Sequence, residues 1–181
     1  MIKIRHAAVS EKKKIFDWYT FIISQNESKI WSVGQEYTWD EFNADFQDFY
    51  FEKSAQHKGS VMIIENGGEE IGCMCYDNNF LKPHCTELDI WMKNEECCGK
   101  GLGVSALKEL ITYLKTEKGI KKFLIRPSIK NIRAIKAYKK AGFTMVSDKK
   151  KTIEAYLKRP YLDKYGDGDY GFDDTAVLIL E

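Results

Sequence analysis

Apolar and polar positions along this chain repeat with two periods, and the changes of period outline its elements. Ile2 and Ile4 alternate with polar neighbours, which predicts a short first strand. Beyond Ser10, placed to cap a helix, Ile15, Trp18, Tyr19 and Ile22 fall on one helical face. A second helix is predicted over 38–53, capped by Thr38, with Phe42, Phe46 and Phe49 along it. Two apolar runs around Asn66-Gly67-Gly68 predict a hairpin. TELDIWM, residues 86–92, predicts a further strand.

Over 103–118 the helical spacing returns, with Val104, Leu107, Leu110, Ile111 and Leu114 at i, i+3, i+4 and i+7 steps. KKFLIRP then predicts a strand that Pro127 ends. Asn131 is placed to cap a short helix through Ile132, Ile135 and Tyr138, and Gly142 to end it in the left-handed conformation. FTMVSDK and TAVLILE predict two closing strands. The order, β-α-α-β-β-β-α-β-α-β-β, mixes an antiparallel run with one β-α-β unit at 86–126. It predicts an α+β or α/β fold on one mixed sheet.

The length of 181 residues suits one domain, 1–181, with a sizeable core. A hydrophobic share of 44% excludes a disordered chain. No run approaches the roughly 18 apolar residues of a membrane span, and MIKIRHAAVSEKKK lacks an apolar signal core. A cytoplasmic protein without membrane or nucleic-acid partners is expected. Five cysteines, an odd number, argue against a disulfide framework. Their C-x-C…C…C-C spacing does not match paired zinc ligands, so reduced thiols and no metal are expected.

Net charge is only +1, but its distribution is uneven. Residues 30–52 hold six acids and no base, whereas 100–159 hold seventeen Lys or Arg against four acids. The stretch 160–175 is acidic again. One surface therefore suits an anion and another a cation, unless these are simply solvated faces.

The anion has a candidate place. In CCGKGLGVSAL, residues 97–107, a glycine loop opens directly into a helix. Backbone N–H groups at such a helix start point outward beside the positive end of the dipole, and glycine lets an anion approach. Cys98, Gly99, Lys100, Gly101, Leu102, Gly103 and Val104 thus form either a structural turn or a phosphate cradle. Neither the Walker pattern nor the Rossmann G-x-G-x-x-G fits.

The loop and the run Asn131-Ile-Arg-Ala134-Ile-Lys-Ala-Tyr138-Lys-Lys-Ala-Gly142-Phe143 together resemble the GCN5-related N-acetyltransferases. That family binds the pyrophosphate of acetyl-CoA with an Arg/Gln-x-x-Gly-x-Gly/Ala loop. Gly101 and Gly103 match its glycines, and Cys98 departs from its Arg or Gln. The resemblance implies a mostly antiparallel sheet with a splayed parallel pair, flanked by about four helices. It implies that backbone at Ile90, Trp91 and Met92 pairs with pantetheine, that Asn131 and Ala134 belong to the cofactor site, and that Tyr138 donates a proton to the leaving thiolate.

Asp89 is the candidate base: an acid in mid-strand between Leu88 and Ile90 is not what a plain core strand wants. It stands twelve residues before Gly101, a spacing that resembles aminoglycoside 6′-N-acetyltransferases. Ile30-Trp31-Ser32-Val33-Gly34 and Asp173-Asp174-Thr-Ala-Val are similar to further stretches of that branch. The resemblance implies a small polycationic amine as acceptor. Glu36, Asp40 and Asp173 are then candidates for its ammonium groups, and Trp31 and Tyr37 for its sugar faces. A protein N-terminus, a polyamine or a streptothricin-like drug remains an alternative acceptor, as does a non-catalytic acetyl-CoA-binding role. Monomer and homodimer stay equally open.

Overall fold

The computed structural model describes residues 1–25 and 38–181. One seven-stranded sheet organises them, in the order β1-β2-β3-β4-β5-β7-β6. Strand β1 (Ile2–His6), β2 (Gly59–Asn66), β3 (Glu69–Asp77) and β4 (Cys85–Met92) form an antiparallel meander. Gly67 and Gly68, at φ +63° and +92°, make the predicted hairpin turn between β2 and β3. β5 (Lys122–Ile125) lies parallel to β4, reached through helix α3 (Leu102–Lys118). After α4 (Ile132–Ala141) the chain returns through β6 (Thr144–Met145) and β7 (Leu178–Leu180), both antiparallel to their neighbours. The sheet is thus mixed and mostly antiparallel, with one parallel pair.

The two faces of the sheet are covered differently. Met74, Leu88 and Met92 bury against Leu107, Leu110 and Leu114 of α3 and Ile135 and Tyr138 of α4. On the opposite face Val61, Ile63, Cys73, Cys75 and Trp91 pack under α1 (Lys12–Gln25) and α2 (Trp39–Asp45). Alternation along each strand delivers one set of side chains to each face. No helix among the described residues is long and apolar enough to cross a membrane.

Four expectations need correction. Helix α1 begins at Lys12 after a 3₁₀ turn over Val9–Glu11 that Ala8, not Ser10, precedes; Glu11 accepts the Ala8 N–H at 2.9 Å. The helix foreseen over 38–53 stops at Asp45 and continues as 3₁₀ turns over Asp48–Phe51 and Lys53–Ala55. Phe42 stacks on Phe46 at 4.6 Å, and Tyr50 turns inward to donate to buried Asp77, which a straight helix would not permit. Thr38 does cap α2, accepting from the Glu41 N–H. The strand foreseen over 143–149 shrinks to two residues, because Asp148 caps a helix instead. Its side chain accepts from the Lys151 N–H at 3.0 Å and opens α5 (Lys149–Tyr156). With α6 (Leu162–Tyr165), six helices rather than about four flank the sheet among the described residues. Only Ile153 and Tyr156 of α5 bury, too sparse a stripe to stand out amid its lysines.

Candidate active site

The parallel pair opens where the site lies. Its register joins Cys85, Thr86 and Glu87 to Lys122, Phe123 and Leu124 and ends there, although β4 runs on to Met92. β5 ends at Ile125 and Pro127 follows. The rest of β4 therefore faces a gap. Lys93 donates to the Ile71 carbonyl of β3 at 2.8 Å, so by antiparallel alternation the Trp91 and Asp89 amides also point toward β3. The Ile90 and Met92 amides point into the gap.

A cavity of about 350 Å³ fills the angle between β4, α3 and α4. Ile90, Trp91 and Met92 form its floor, and Cys97, Cys98, Gly99, Gly101, Gly103 and Val104 one end. Asn131, Ala134 and Tyr138 line the far wall. Two members of the predicted set stand outside it: Lys100 is exposed to solvent, and Leu102 packs against the main core. Leu107, Arg133, Lys136, Ala137 and Lys140 also line the cavity and were missed. The basic ones recur at helical spacing along α4, a stripe that the charge surplus of this region could have located.

The glycines differ in what they contribute. Gly99 and Gly101 sit at φ +73° and +79°, and a Cβ on either would meet nothing within 4 Å. Gly101 caps α3 without a side chain, so the first-turn amides of a 17-residue helix are left open toward the cavity. Gly103 has an ordinary helical backbone, and its Cβ would rest 3.6 Å from Ile90 Cδ1 and Met92 Sδ. Cys98 donates weakly to the Asn94 carbonyl at 3.5 Å, and burial pushes its thiol up, so it stays neutral. Asn131 caps α4 by accepting the Ala134 N–H at 3.1 Å, and Gly142 ends that helix at φ +111°.

The charge of Asp89 on β4 reaches Tyr138 on α4, where it is one of the causes that hold the phenol up. Asp89 keeps an exposed surface on β4, but protein crowds around its carboxyl. That burial pushes its carboxyl up to about 7, the charges of Asp169 and Glu87 add to the push, and the Ile90 N–H opposes it from 2.8 Å. Tyr138 is only 5% exposed. Burial, then the charge of Asp89, then Tyr170 hold its phenol well above its ordinary value.

The acceptor-side candidates fare unevenly. Trp31, Glu36 and Tyr37, with the Ile30–Gly34 stretch, lie outside the described residues. Asp40 occupies the exposed first turn of α2, and the α2 carboxylate whose field reaches the site is Asp45, through Asp169. Asp173 is exposed and its carbonyl accepts from Lys149. The loop acid that acts on Asp89 is Asp169, beside Tyr170. Sequence reading passed over this pair, although GDGDYG at 166–171 marks a tight turn. Among the described residues no group of His, Cys, Asp or Glu is arranged to hold a metal.

A model of the acetyltransferase (GNAT) domain family matches residues 4–144. Aminoglycoside N(6′)-acetyltransferase type 1 of Klebsiella pneumoniae is 36% identical over 61 residues, which are 34% of this chain and 30% of that protein. The matched stretch therefore spans less than a third of that relative. Among solved structures, aminoglycoside acetyltransferase AAC(6′)-Ib in complex with coenzyme A superposes with a TM-score of 0.66 at 19% identity, over 99% of this chain and 94% of the other. Spermidine N-acetyltransferase from Vibrio cholerae, in complex with CoA and spermine, gives 0.66 at 16% identity, again over 99% and 94%. At those identities the likeness is one of fold. With the family match covering well over half of its length, and with the opened parallel pair and bare helix start in place, the chain belongs to the acetyltransferase (GNAT) domain family.

Proposed function

We propose that this chain is an acetyl-CoA-dependent N-acetyltransferase that acetylates a primary amine of a small polycation, the 6′-amino group of an aminoglycoside. The observation that carries the reading is the cavity where β4 and β5 part, lined by Tyr138, whose phenol feels the charge of Asp89. The cavity on the α3–α4 side fits acetyl-CoA by its donor set: open first-turn amides, two left-handed glycines without side-chain bulk, and Arg133, Lys136 and Lys140. These groups would hold the pyrophosphate and the remaining phosphate, while the Met92 amide faces the pantetheine arm.

Acetyl-CoA supplies the activated acyl group; the chain's own residues then move protons and hold atoms in place. The acceptor amine reaches the gap as an ammonium and must lose a proton before it can attack. Asp89, with its carboxyl near 7, is ionised above neutrality and is poised to take that proton. As it does so it loosens its grip on the Ile90 N–H, which becomes a donor for the tetrahedral oxyanion. Tyr138, a neutral phenol, donates to the departing thiolate. Attack is direct, with both substrates bound.

The carboxylates of Asp89, Asp169, Glu87 and Asp45 give the acceptor side a field that suits several ammonium groups. The relative from Klebsiella pneumoniae supports an aminoglycoside among polycations. A thiol-release assay with acetyl-CoA, run over kanamycin and other aminoglycosides, spermidine and N-terminal peptides, tests the reading. Turnover of aminoglycosides supports it. Turnover of spermidine alone or of peptides alone replaces the acceptor, and release with none of them overturns the enzymatic reading.

A further inference from the structure

Arg126 stands just past the end of β5, with its side chain only 8% exposed. Its Nε and Nη2 donate to the two carboxylate oxygens of Glu87 at 2.6 and 2.8 Å. Glu87 is the last β4 residue in the parallel register, so this ion pair sits at the point where the two strands part. Nη1 donates in addition to the carbonyls of Tyr165 and Gly166, at 2.5 and 3.3 Å. One buried guanidinium thus ties together β4, β5 and the loop that follows α6.

That loop is built to be held. Gly168 and Gly171 sit at φ +72° and +77° on either side of Asp169 and Tyr170. Thr175 Oγ1 donates to the Asp167 carbonyl at 3.0 Å, and the Thr175 N–H to the Gly171 carbonyl at 3.0 Å. Tyr165 stacks on Phe80 at 4.5 Å. The fixed points lie at both feet of the loop, and Asp169 and Tyr170 project between them.

We infer that Arg126 is a positioning residue of the acceptor side: by pinning the 165–171 loop to Glu87 it keeps Asp169 and Tyr170 beside Asp89. The inference rests on the proposed role of Asp89 and extends it to the loop that tunes it. The groups facing Asp89 are Glu87 on its own strand, Cys73 and Cys75 on β3, Tyr138 on α4, and Asp169 and Tyr170 on the loop. Those facing Asp169 include Arg126, Glu87 and Asp45. If Arg126 acted only as a charge, its removal would push the Asp169 carboxyl up while the loop stayed in place. If it positions the loop, its removal lets Asp169 and the surrounding protein withdraw, and Asp89 falls back toward the ordinary carboxylate range. The two roles differ in whether the loop loosens.

The test compares Arg126→Met and Arg126→Lys with wild type in the full chain. Hydrogen–deuterium exchange over 163–175 and the carboxyl titration of Asp89, read by carbon NMR, are measured without acceptor. Arg126→Met should speed loop exchange by about tenfold or more and lower the Asp89 midpoint. Arg126→Lys, which keeps a donor and the charge, should preserve the midpoint and much of the protection. With kanamycin as probe, Arg126→Met should raise KM about tenfold while kcat holds within about threefold. An Asp89 midpoint that rises or stays, or loop exchange that does not change, overturns the inference. Should Arg126→Met fail to fold, Arg126→Lys decides alone: loss of the wild-type midpoint despite an intact fold refutes positioning by hydrogen bonds that a lysine can replace. If wild type acetylates no amine, the functional reading fails while exchange and titration still decide the clamp.

Discussion

Gly101 and Gly103 are two residues apart in one loop, and alanine should do opposite things to them. Gly101 caps α3 at φ +79°, where an L side chain costs about 1–2 kcal/mol. Its Cβ would meet no protein atom, so backbone strain is the whole folding cost. For a chain of this length that corresponds to a melting temperature about 2–8 °C lower. The same Cβ would project into the space proposed for the pyrophosphate, and acetyl-CoA affinity should fall about tenfold, or about 1.4 kcal/mol. Gly103 has helical geometry, and a methyl there rests in ordinary contact with Ile90 and Met92. Gly103→Ala should stabilise by up to about 0.5–1 kcal/mol, because glycine holds more backbone entropy in the unfolded chain. Its affinity for acetyl-CoA should change far less. Thermal melts and calorimetric titration with acetyl-CoA separate the two effects. Wild-type affinity in Gly101→Ala would refute the assignment of this loop to the pyrophosphate, and an unchanged melt would refute the strain argument.

Tyr138→Phe keeps the buried ring and should lower kcat about 10²-fold or more with acetyl-CoA affinity nearly intact; equal turnover removes Tyr138 from the chemistry. The kcat/KM of wild type should climb with pH and level off above about 7, and Asp89→Asn should abolish that limb. Because the folded-state carboxyl of Asp89 lies above its unfolded value near 4, its contribution to stability is full at acid pH and is lost as pH rises through about 7. Asp89→Asn should therefore melt above wild type in alkaline buffer and level with it in acid, whatever it does to activity. Tyr50 donates to buried Asp77, whose carboxyl burial pushes up to about 6. Tyr50→Phe should cost about 1–3 kcal/mol where Asp77 is ionised and less as it protonates; a difference that ignores pH would argue that the ring alone matters.

The parts legible in the sequence share a physical property: they are set by local pattern. The hairpin at Asn66–Gly68, the α3 stripe, and the Asn131 and Gly142 caps each follow from a few neighbouring residues, and they appear where the pattern puts them. What the pattern hid was set by distant partners. Phe46 and Tyr50 leave the helical path to reach Trp91 and Asp77, contacts across many residues of chain. Asp169 looks like one more surface acid until the chain folds over Arg126, and Arg126 looks like a strand-end charge until Glu87 and the loop carbonyls surround it. The stretch 160–175 is legible as acid-rich, but which of its acids acts on Asp89 depends on a loop fixed from outside itself.

The pairing of Asp89 with Tyr138 also answers a difficulty in the proposed chemistry. A phenol held well above its ordinary value is a poor acid, and the charge on Asp89 is one of the causes. That charge is present only before the amine is deprotonated. Once Asp89 holds the proton its share of the push is gone, though burial and Tyr170 remain, and Tyr138 recovers part of its acidity as the thiolate departs. The base must act first for the acid to act well: near neutral pH Asp89, pushed up to about 7, can take a proton while the Tyr138 phenol still holds its own. Asp89→Asn mimics the protonated carboxyl. In that variant the Tyr138 phenol should titrate at lower pH than in wild type, measured by its ultraviolet difference spectrum. An unchanged phenol would mean that the two groups do not feel each other, and the ordered proton transfers would lose their basis.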